Sequence, residues 1–337
     1  MTIFRRRAVR ESNGDCMTKD VRGIILKGVG GLYGVRPDRM GENNEKDTIL
    51  CSARGLFRHE NITPLPGDEV LLRYSDIGDD AYVIQEILPR RNSLVRPALA
   101  NLSHLFIVVP AANPKPDLLM ADKLISAAED KEIEPVIVIS KTDTNGESAI
   151  EIENIYKTGG FSVFPVSCTT GEGIEALYRY ISQVAAQSRV TAAFAGVSGA
   201  GKSTLMRTLF PTLQLKTGEV SRKTQRGRHT TRHAELYPVA CGEAYCFIAD
   251  TPGFSMLDFA RYLSIAPENL PYTFREFVPC LGNCRYTKCT HTKEEGCAVL
   301  EKMDAGGIAP SRHTHYCAIL EEIRKNPQWK RQRDERK

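Results

Sequence analysis

Residues 196–203 read Gly-Val-Ser-Gly-Ala-Gly-Lys-Ser, which fits the pattern G-x-x-x-x-G-K-[ST]. An apolar, strand-like run precedes them at 191–195, and a predicted helix follows at 204–209. Glycines in such a loop let backbone N–H groups cradle phosphates at the positive end of the helix, while the lysine reaches the β- and γ-phosphates and the serine ligates Mg²⁺. The stretch predicts a phosphate site formed by Gly196, Val197, Ser198, Gly199, Ala200, Gly201, Lys202, Ser203 and Thr204.

The sequence on the N-terminal side of this loop alternates apolar runs with helical stretches. Runs typical of strands occur at 105–109, 135–139, 163–166 and 191–195. Predicted helices lie between them at 118–131, 147–157 and 174–186. This alternation predicts an α/β domain in which helices cover both faces of a parallel sheet.

The loop after the second of these strands carries a pattern typical of guanine recognition. Ser140, Lys141 and Asp143 resemble the NKxD box of GTPases, with Ser in place of Asn. An Asp carboxylate there accepts hydrogen bonds from guanine N1–H and N2–H₂, a donor pair that adenine lacks, and the lysine stem can lie over the ring. The change from Asn to Ser puts one supporting hydrogen bond in doubt but keeps the residue that discriminates between bases.

Two further loops fit the same interpretation. Ser167 and Cys168 resemble the second guanine-contacting loop, usually SAx, in which a small residue directs its N–H at guanine O6. Asp250 and Gly253 form a DxxG pattern, in which Asp holds Mg²⁺ through its water shell and the Gly N–H senses the γ-phosphate. The alternative for the two guanine loops is that they are ordinary strand ends.

These motifs occur in an unusual order. Ordinary GTPases run phosphate loop, switch one, DxxG, NKxD and SAx, whereas here NKxD and SAx come first. The order predicts a circularly permuted P-loop GTPase domain, which keeps the same sheet if the original termini were close together, as termini often are. The chain would then leave the GTPase core directly after switch two, at Gly253 and Phe254.

The chain has 337 residues, and its net charge of +4 conceals a segregation of charge. Residues 1–10 hold four basic and no acidic groups, residues 216–233 hold six against one, and residues 323–337 hold seven against two, so the remainder is acidic. Concentrated positive segments favour a polyanion such as nucleic acid; the alternative for the two termini is that they are solvated tails.

No apolar run approaches the roughly 18 residues of a membrane-spanning helix, and no secretory signal is expected.

Short β-like runs broken by glycine and proline occupy residues 21 to about 92. They predict a small β-barrel. A five-stranded OB-fold, a type of barrel that commonly binds oligonucleotides, is one version, and an SH3-like barrel is the alternative.

The irregular region after residue 262 carries the spacing C-x4-C-x-H-x5-C, formed by Cys284, Cys289, His291 and Cys297. Three thiolates and an imidazole close a tetrahedral Zn²⁺ shell, which is typical of a structural site and supplies folding free energy. Cys280 is the rival ligand, four residues upstream. A cluster without metal is the other alternative.

The barrel, the permuted motifs and the Cys/His module together resemble the ribosome small subunit-dependent GTPase family, RsgA (YjeQ). The similarity covers nearly all of residues 21–320 and includes Gly67 and Asp68 in the barrel. It implies a cytoplasmic enzyme that hydrolyses GTP when the small (30S) ribosomal subunit activates it, late in assembly of that subunit. The expected partners are the subunit, its rRNA and GTP or GDP, with no membrane, for a monomer. The expected units are a basic tail at 1–20, an OB-fold RNA-binding domain at 21–94, the GTPase domain at 95–262, and a mostly helical or irregular zinc-binding module with a basic tail at 263–337.

Two departures bear on catalysis. The family switch usually reads GRHTTT, and here Arg232 takes the last Thr position, so either Thr230 or Thr231 is the expected Mg²⁺ ligand. Phe254 stands where Ras-like enzymes have a water-positioning Gln. By analogy with the family, His229 is the candidate that positions or deprotonates the water; the alternative is that it packs or contacts RNA phosphate.

The hypothesis for the whole chain is that GTP orders residues near 216–233 and Gly253, that rRNA contacts complete the catalytic geometry, and that hydrolysis releases these loops. Two alternatives from other classes are a non-catalytic GTP-dependent RNA-binding module and a P-loop kinase. Asp143 with Ser167 argues against a kinase.

Overall fold

The structure is a computed structural model that describes residues 20–38, 48–55, 57, 62–74, 82–94, 97–213, 234–250 and 265–325. His229, Thr230, Thr231 and Gly253 lie outside these residues. In the described part of the chain, no helix is both long and apolar enough to cross a membrane.

Five strands close an N-terminal barrel, in the order β1-β2-β3-β5-β4 with β4 pairing back to β1. β3 and β5 are parallel, whereas the other neighbouring strands are antiparallel. This arrangement confirms the predicted barrel, and its parallel closing pair favours the OB-type over the SH3-like alternative. The strands are β1 (Val21–Val29), β2 (Leu32–Pro37), β3 (Ile49–Ala53), β4 (Glu69–Tyr74) and β5 (Tyr82–Ile87).

A buried turn connects the barrel to the residues that follow it. Gly67 has φ 93°, and a Cβ there would lie 2.0 Å from the Ala100 carbonyl oxygen, so only glycine fits. The fully buried Asp68 accepts hydrogen bonds from Arg90 Nε at 2.6 Å, from Arg90 Nη2 at 2.7 Å and from the Leu65 N–H at 2.7 Å. Gly67 and Asp68 therefore have a structural role here.

A short pair of strands, β6 (Ser93–Leu94) and β7 (Leu99–Ala100), leads to a six-stranded sheet of order β10-β9-β8-β11-β13-β12. All neighbours in this sheet are parallel except β12 and β13. Its strands are β8 (His104–Pro110), β9 (Glu134–Ser140), β10 (Ser162–Val166), β11 (Val190–Ala195), β12 (Glu235–Cys241) and β13 (Ala244–Asp250). The helices beside them are α1 (Leu118–Glu129), α2 (Gly146–Thr158), α3 (Ile174–Gln187) and α4 (Lys202–Leu209).

Both edge strands of this sheet contain a proline, Pro165 in β10 and Pro238 in β12. Proline has no N–H to donate to a ladder and is tolerated within sheets mainly at edges. The apolar pattern of the sequence gives no indication of β12, because Pro238 interrupts it. The strands β8, β9, β10 and β11 and the four helices fall where the sequence predicts them.

The barrel lies beside the β12–β13 pair. Lys27 of β1 forms an ion pair of 3.4 Å with Glu235, the first residue of β12. The buried Arg36 guanidinium lies 4.1 Å from the centre of the Tyr245 ring in β13. Arg189, which precedes β11, forms a further ion pair with Asp38 at the end of the barrel strand β2. Barrel and sheet are thus joined by charged and cation–π contacts.

The C-terminal module has its own apolar core. It contains 3₁₀ turns at Leu270–Thr273 and Val278–Cys280 and the helices α5 (Ala298–Asp304) and α6 (Pro310–Lys325). Phe274 and Phe277 pack against the ring of Tyr316 on α6, with ring centroids 5.3 and 4.9 Å from it. The module consists of helices and irregular segments, as the sequence predicts.

A buried charge cluster attaches this module to the α/β domain. Arg312 of α6 is 1% exposed; its Nη1 lies 2.6 Å from Asp122 of α1 and its Nε lies 2.6 Å from Glu276. Asp122 also binds the Tyr156 hydroxyl of α2 at 3.0 Å and His315 Nδ1 at 2.6 Å. Although burial opposes a charge on Arg312, Asp122 and Glu276 raise the pKa of its guanidinium above its ordinary value. The guanidinium therefore stays charged, and each of its three nitrogens donates a hydrogen bond to one of these two carboxylates.

Candidate nucleotide site and metal centre

The phosphate loop connects β11 to α4 and depends on its glycines. Gly196, Gly199 and Gly201 have φ of 156°, 81° and 91°, values that side chains rarely adopt. A Cβ at Gly196 would also lie 2.4 Å from the Val108 carbonyl oxygen of β8. Because the sequence supplies glycine at each point, the loop can turn its N–H groups toward a phosphate at the start of the helix.

Lys202, the first residue of α4, bends back over the loop. Its Nζ donates hydrogen bonds to the carbonyl oxygens of Gly196 at 2.7 Å and Val197 at 3.0 Å. Burial lowers the pKa of Lys202 from its ordinary value, so an anion beside it would stabilise its charged form. Ser203 and Thr204 follow it in the first turn, and both are exposed.

Ser140 links the first guanine loop to the phosphate loop. It is the last residue of β9 and is buried, and its Oγ donates a hydrogen bond of 2.7 Å to the Ala200 carbonyl oxygen. Ser at the Asn position of the box therefore still makes a supporting bond here. The two loops come together although 60 residues separate their sequences.

Ser167 orients Asp143, the acidic residue of the first guanine loop. Its Oγ donates to Asp143 Oδ1 at 2.6 Å and accepts from the N–H groups of Thr169 and Thr170 at 3.2 and 3.1 Å. The exposed Asp143 carboxylate is thereby fixed at the carboxyl ends of β9 and β10, the edge of the sheet to which the phosphate loop belongs. A carboxylate held in this way can accept a pair of hydrogen bonds from one ligand.

Lys141 and Cys168 complete the guanine loops. Lys141 has φ 60°, and its Nζ donates a hydrogen bond to the Asn113 carbonyl oxygen in the loop after β8. Cys168 is half-buried, and burial raises the pKa of its thiol, which keeps it neutral. Gly173 begins α3 with φ 73°, and a Cβ there would lie 2.0 Å from the Pro165 carbonyl oxygen. The second loop thus has a fixed path.

The DxxG pattern is only partly described. Asp250 is the last residue of β13, and β13 runs parallel to β11 with Ala249 opposite Ala193. The backbone of Asp250 therefore ends at the same edge of the sheet as the start of the phosphate loop. The structure brings the described residues of both guanine loops and the phosphate loop to this one edge.

The predicted metal ligands come together in the C-terminal module. One ligand atom from each of Cys284, Cys289, His291 and Cys297 lies within 4.8 Å of all the others. His291 Nδ1 is 3.4 Å from Cys284 Sγ and 3.6 Å from Cys297 Sγ, and these two sulfurs are 3.9 Å apart. Tetrahedral Zn²⁺ with its usual bond lengths separates its sulfur ligands by about 3.8 Å and sulfur from nitrogen by about 3.5 Å. The four side chains fit zinc.

Burial shifts the pKa values of three of these four groups. Burial raises the pKa of Cys289 to about 12 and also raises the pKa of Cys297, whereas burial lowers the pKa of His291. The imidazole is therefore in the neutral form that binds metals, and the thiols of Cys289 and Cys297 need a cation to become thiolates. The rival ligand Cys280 lies in the apolar core of the module and is not part of this cluster.

Neighbouring groups hold the metal loop in place. The His291 carbonyl oxygen lies 2.8 Å from His313 Nε2, and the Tyr316 hydroxyl donates to the Thr290 carbonyl at 2.9 Å. The Glu294 carboxylate accepts from the Thr290 and Thr292 N–H groups at 2.8 and 2.9 Å. Although burial opposes it, hydrogen bonding holds the pKa of Glu294 well below its usual range. These contacts fix the ligands as outer groups do at metal sites.

No sequence motif indicates the residues that join the modules. Asp122 and Arg312 are 190 residues apart in sequence, and neither belongs to a recognisable motif. An Arg on an apolar helix face, as in α6, is the one signal that could have indicated a buried partner.

Comparison with known proteins agrees with this architecture. The family model described as RsgA GTPase matches residues 87–260, and the RsgA N-terminal domain model matches residues 22–83. A Ruminiclostridium cellulolyticum protein named small ribosomal subunit biogenesis GTPase RsgA is 36% identical over 313 residues, which cover 93% of this chain and 97% of the relative. The protein of the same name from Enterococcus faecalis is 41% identical over 307 residues, 90% of this chain and 95% of the relative.

Solved structures give the same result. The crystal structure of YjeQ from Thermotoga maritima superposes with a TM-score of 0.74 at 31% identity, covering 90% of this chain and 99% of that one. YloQ, described as a circularly permuted GTPase, superposes with a TM-score of 0.71 at 28% identity, covering 93% and 98%. With its guanine loops ahead of its phosphate loop and with these matches, the chain belongs to the RsgA GTPase family.

Proposed function

We propose that this chain hydrolyses GTP, that the small ribosomal subunit stimulates the turnover, and that the protein acts late in maturation of that subunit. One observation supports the nucleotide part of the proposal above all others: the guanine loop and the phosphate loop are bonded together through Ser140 Oγ and the Ala200 carbonyl, 2.7 Å apart. Family membership supports the partner, because the curated relatives are named for biogenesis of the small subunit.

The described residues contact different parts of the nucleotide. Asp143, held by Ser167, accepts from guanine N1–H and N2–H₂, and the backbone N–H of Cys168 faces O6. The Lys141 stem covers the ring, and Lys202 exchanges its two loop carbonyls for β- and γ-phosphate oxygens. A kinase has no need of the guanine-specific pair, so GTP hydrolysis is the better interpretation.

Hydrolysis involves residues that precede β12 in the sequence and residues that follow β13. Ser203 and either Thr230 or Thr231 would hold Mg²⁺, with Asp250 acting through its water shell, and the bound ion would supply charge neutralisation at the β- and γ-phosphate oxygens. Gly253 senses the γ-phosphate, and His229 positions the attacking water.

The other parts of the chain serve the partner. We assign residues 21–94 to the OB-fold domain, 95–262 to the GTPase domain and 263–337 to the module that structural Zn²⁺ folds, with the basic residues 1–20 as a tail. The barrel, the basic switch segment and the C-terminal module contact rRNA, in a monomeric cytoplasmic protein. The positive charge of residues 216–233 supports such a contact.

A turnover assay tests the proposal. Phosphate release from GTP is measured with full-length protein alone and with purified small ribosomal subunits, and ATP serves as the control substrate. We expect slow turnover alone, strong stimulation by the subunits and no turnover of ATP. GTP-dependent binding to subunits without any turnover would instead favour the non-catalytic RNA-binding alternative.

The role of His229 is tested in the same assay. His229→Ala should lower stimulated kcat by about 100-fold or more, the usual contribution of a positioned acid or base, and leave GTP affinity nearly intact. His233→Ala, four residues later in the same basic segment, is the matched control. An unchanged stimulated kcat in His229→Ala would assign that histidine to packing or phosphate contact.

A further inference from the structure

An open groove runs along the C-terminal module beside the metal loop. It has a volume of about 620 Å³, within the range of pockets that enclose small organic molecules. Its walls come from the segment around residues 267–272, the metal loop at 281–291, and one face of α6. None of the nucleotide-site residues lines it.

Two exposed aromatic side chains line this groove. Tyr272 is 63% exposed and Tyr286 is 49% exposed, although both carry large apolar rings. The Arg285 guanidinium lies 5.7 Å from the Tyr286 ring centre, which places a cation next to an aromatic face. The metal cluster and the contacts of Thr290 and Glu294 fix the loop that carries Tyr286, so this ring is presented on a rigid support.

The charge around the groove favours an anionic ligand. Lys288 and Arg324 line it, and among the described residues neither has an ion-pair partner; Glu268 is the one carboxylate in the lining. Arg324 lies in the last turn of α6, and the twelve residues of sequence after Lys325 hold five basic and two acidic groups. The sequence that adjoins Arg324 is therefore rich in positive charge.

Aromatic faces flanked by basic groups are the features with which proteins bind unpaired nucleotides, because bases stack on the rings and phosphates meet the cations. Bases within a duplex are already stacked on each other and are not available to the rings. We propose that Tyr272 and Tyr286 form a platform for an unpaired nucleotide of single-stranded RNA, with Lys288 and Arg324 neutralising its phosphates. This inference rests on the proposed function, in which the partner contains rRNA.

Fluorescence anisotropy tests the platform with the full chain and a 5′-fluorescein-labelled, 12-nucleotide single-stranded RNA of mixed sequence. The double variant Tyr272→Ala/Tyr286→Ala should bind about tenfold more weakly, since base stacking on an aromatic ring contributes affinity of this order. Tyr272→Phe/Tyr286→Phe should bind like the wild type. The matched control is Val278→Ala, because Val278 is 47% exposed on the same module and does not line the groove. Equal affinity of the alanine double variant and the wild type would overturn the inference.

A second measurement covers the case in which the alanine variant does not fold, which loss of bound zinc would reveal. The same RNA carrying 5-iodouridine is irradiated with the wild-type chain, and cross-linked peptides are mapped by mass spectrometry. Cross-links at Tyr272 or Tyr286 support the platform, and cross-links confined to other peptides refute it. Absence of stimulation by small subunits would count against the proposed function, whereas these two RNA experiments judge the groove alone.

Discussion

We predict that Asp143 determines the specificity of the site for the base. Its carboxylate is fixed by Ser167 Oγ at 2.6 Å, so Asp143→Asn changes the chemistry with little change in shape. We expect GTP affinity to fall by at least about 100-fold, because an amide cannot accept both guanine donors. Xanthosine triphosphate should gain affinity, since its C2 carbonyl accepts a hydrogen bond from the new amide.

Competition titrations with a fluorescent nucleotide measure both dissociation constants. Asp304→Asn, an exposed carboxylate at the end of α5, provides the control and should leave them unchanged. Unaltered GTP affinity in Asp143→Asn would show that this loop does not contact the base.

A second prediction concerns Ser140, whose hydrogen bond connects the first guanine loop to the phosphate loop. Ser140→Ala removes the hydrogen bond to Ala200 and leaves a buried carbonyl oxygen without that donor. Such a change lowers the stability of the folded site by roughly 1–3 kcal/mol. GTP affinity should fall about tenfold while the preference for guanine over adenine stays the same.

The control is Ser182→Ala, because the buried Ser182 Oγ on α3 has no hydrogen-bond partner within the described residues. Isothermal titration with GTP and ATP separates the two effects. A change in base preference in Ser140→Ala would mean that Ser140 acts on the base rather than on the phosphate loop.

At the scale of elements, we predict that folding of the C-terminal module depends on the four ligands of the metal loop. Cys289→Ser removes one thiolate from the cluster, and we expect bound zinc to fall from one equivalent toward none. Helical content should fall with it, because the carbonyl groups of Thr290 and His291 hold Tyr316 and His313 of α6. Metal analysis and circular dichroism measure the two losses.

The matched control is Cys280→Ser, the rival cysteine in the apolar core. It should keep one zinc ion even if the module is less stable. Loss of zinc in Cys280→Ser with retention in Cys289→Ser would reverse the assignment of the ligands.

Elements that depend on neighbouring residues could be predicted from the sequence, and those that depend on distant ones could not. The phosphate loop, the guanine loops and the four metal ligands each lie within a short stretch whose chemistry needs specific residue types. β12 could not be predicted, because Pro238 breaks its apolar pattern and its pairing with β13 supplies the strand. The bond from Ser140 to Ala200 could not be predicted either, because it follows from the folded sheet rather than from either motif.

At the scale of the whole molecule, Arg312 holds the C-terminal module against α1 and α2. Arg312→Ala leaves Asp122 and Glu276 buried without their cation, a change that costs about 3–5 kcal/mol of unfolding free energy. Urea unfolding measures the loss. Arg179→Ala, which breaks an exposed ion pair with Glu175 on α3, should change stability by less than about 1 kcal/mol. Similar small effects of the two variants would show that the cluster does not stabilise the joint.

The same cluster limits how the module responds to the nucleotide. Asp122 of α1 and Tyr156 of α2 bind α6 through a single network in which Arg312 is almost fully buried. A movement of the module on loss of the γ-phosphate must therefore either break the network or carry α1 and α2 with it. Because breaking the network is costly, we expect the module and these two helices to move as one unit.

The prolines at the two sides of the central sheet have a consequence for how the protein behaves in a crowded cell. A strand from a neighbouring molecule extends a sheet by matching an unbroken row of donors and acceptors, and Pro165 and Pro238 interrupt that row on each side. Edge-to-edge pairing of strands from different copies, the first step toward fibrils, therefore meets an interrupted row of donors at both edges of this sheet.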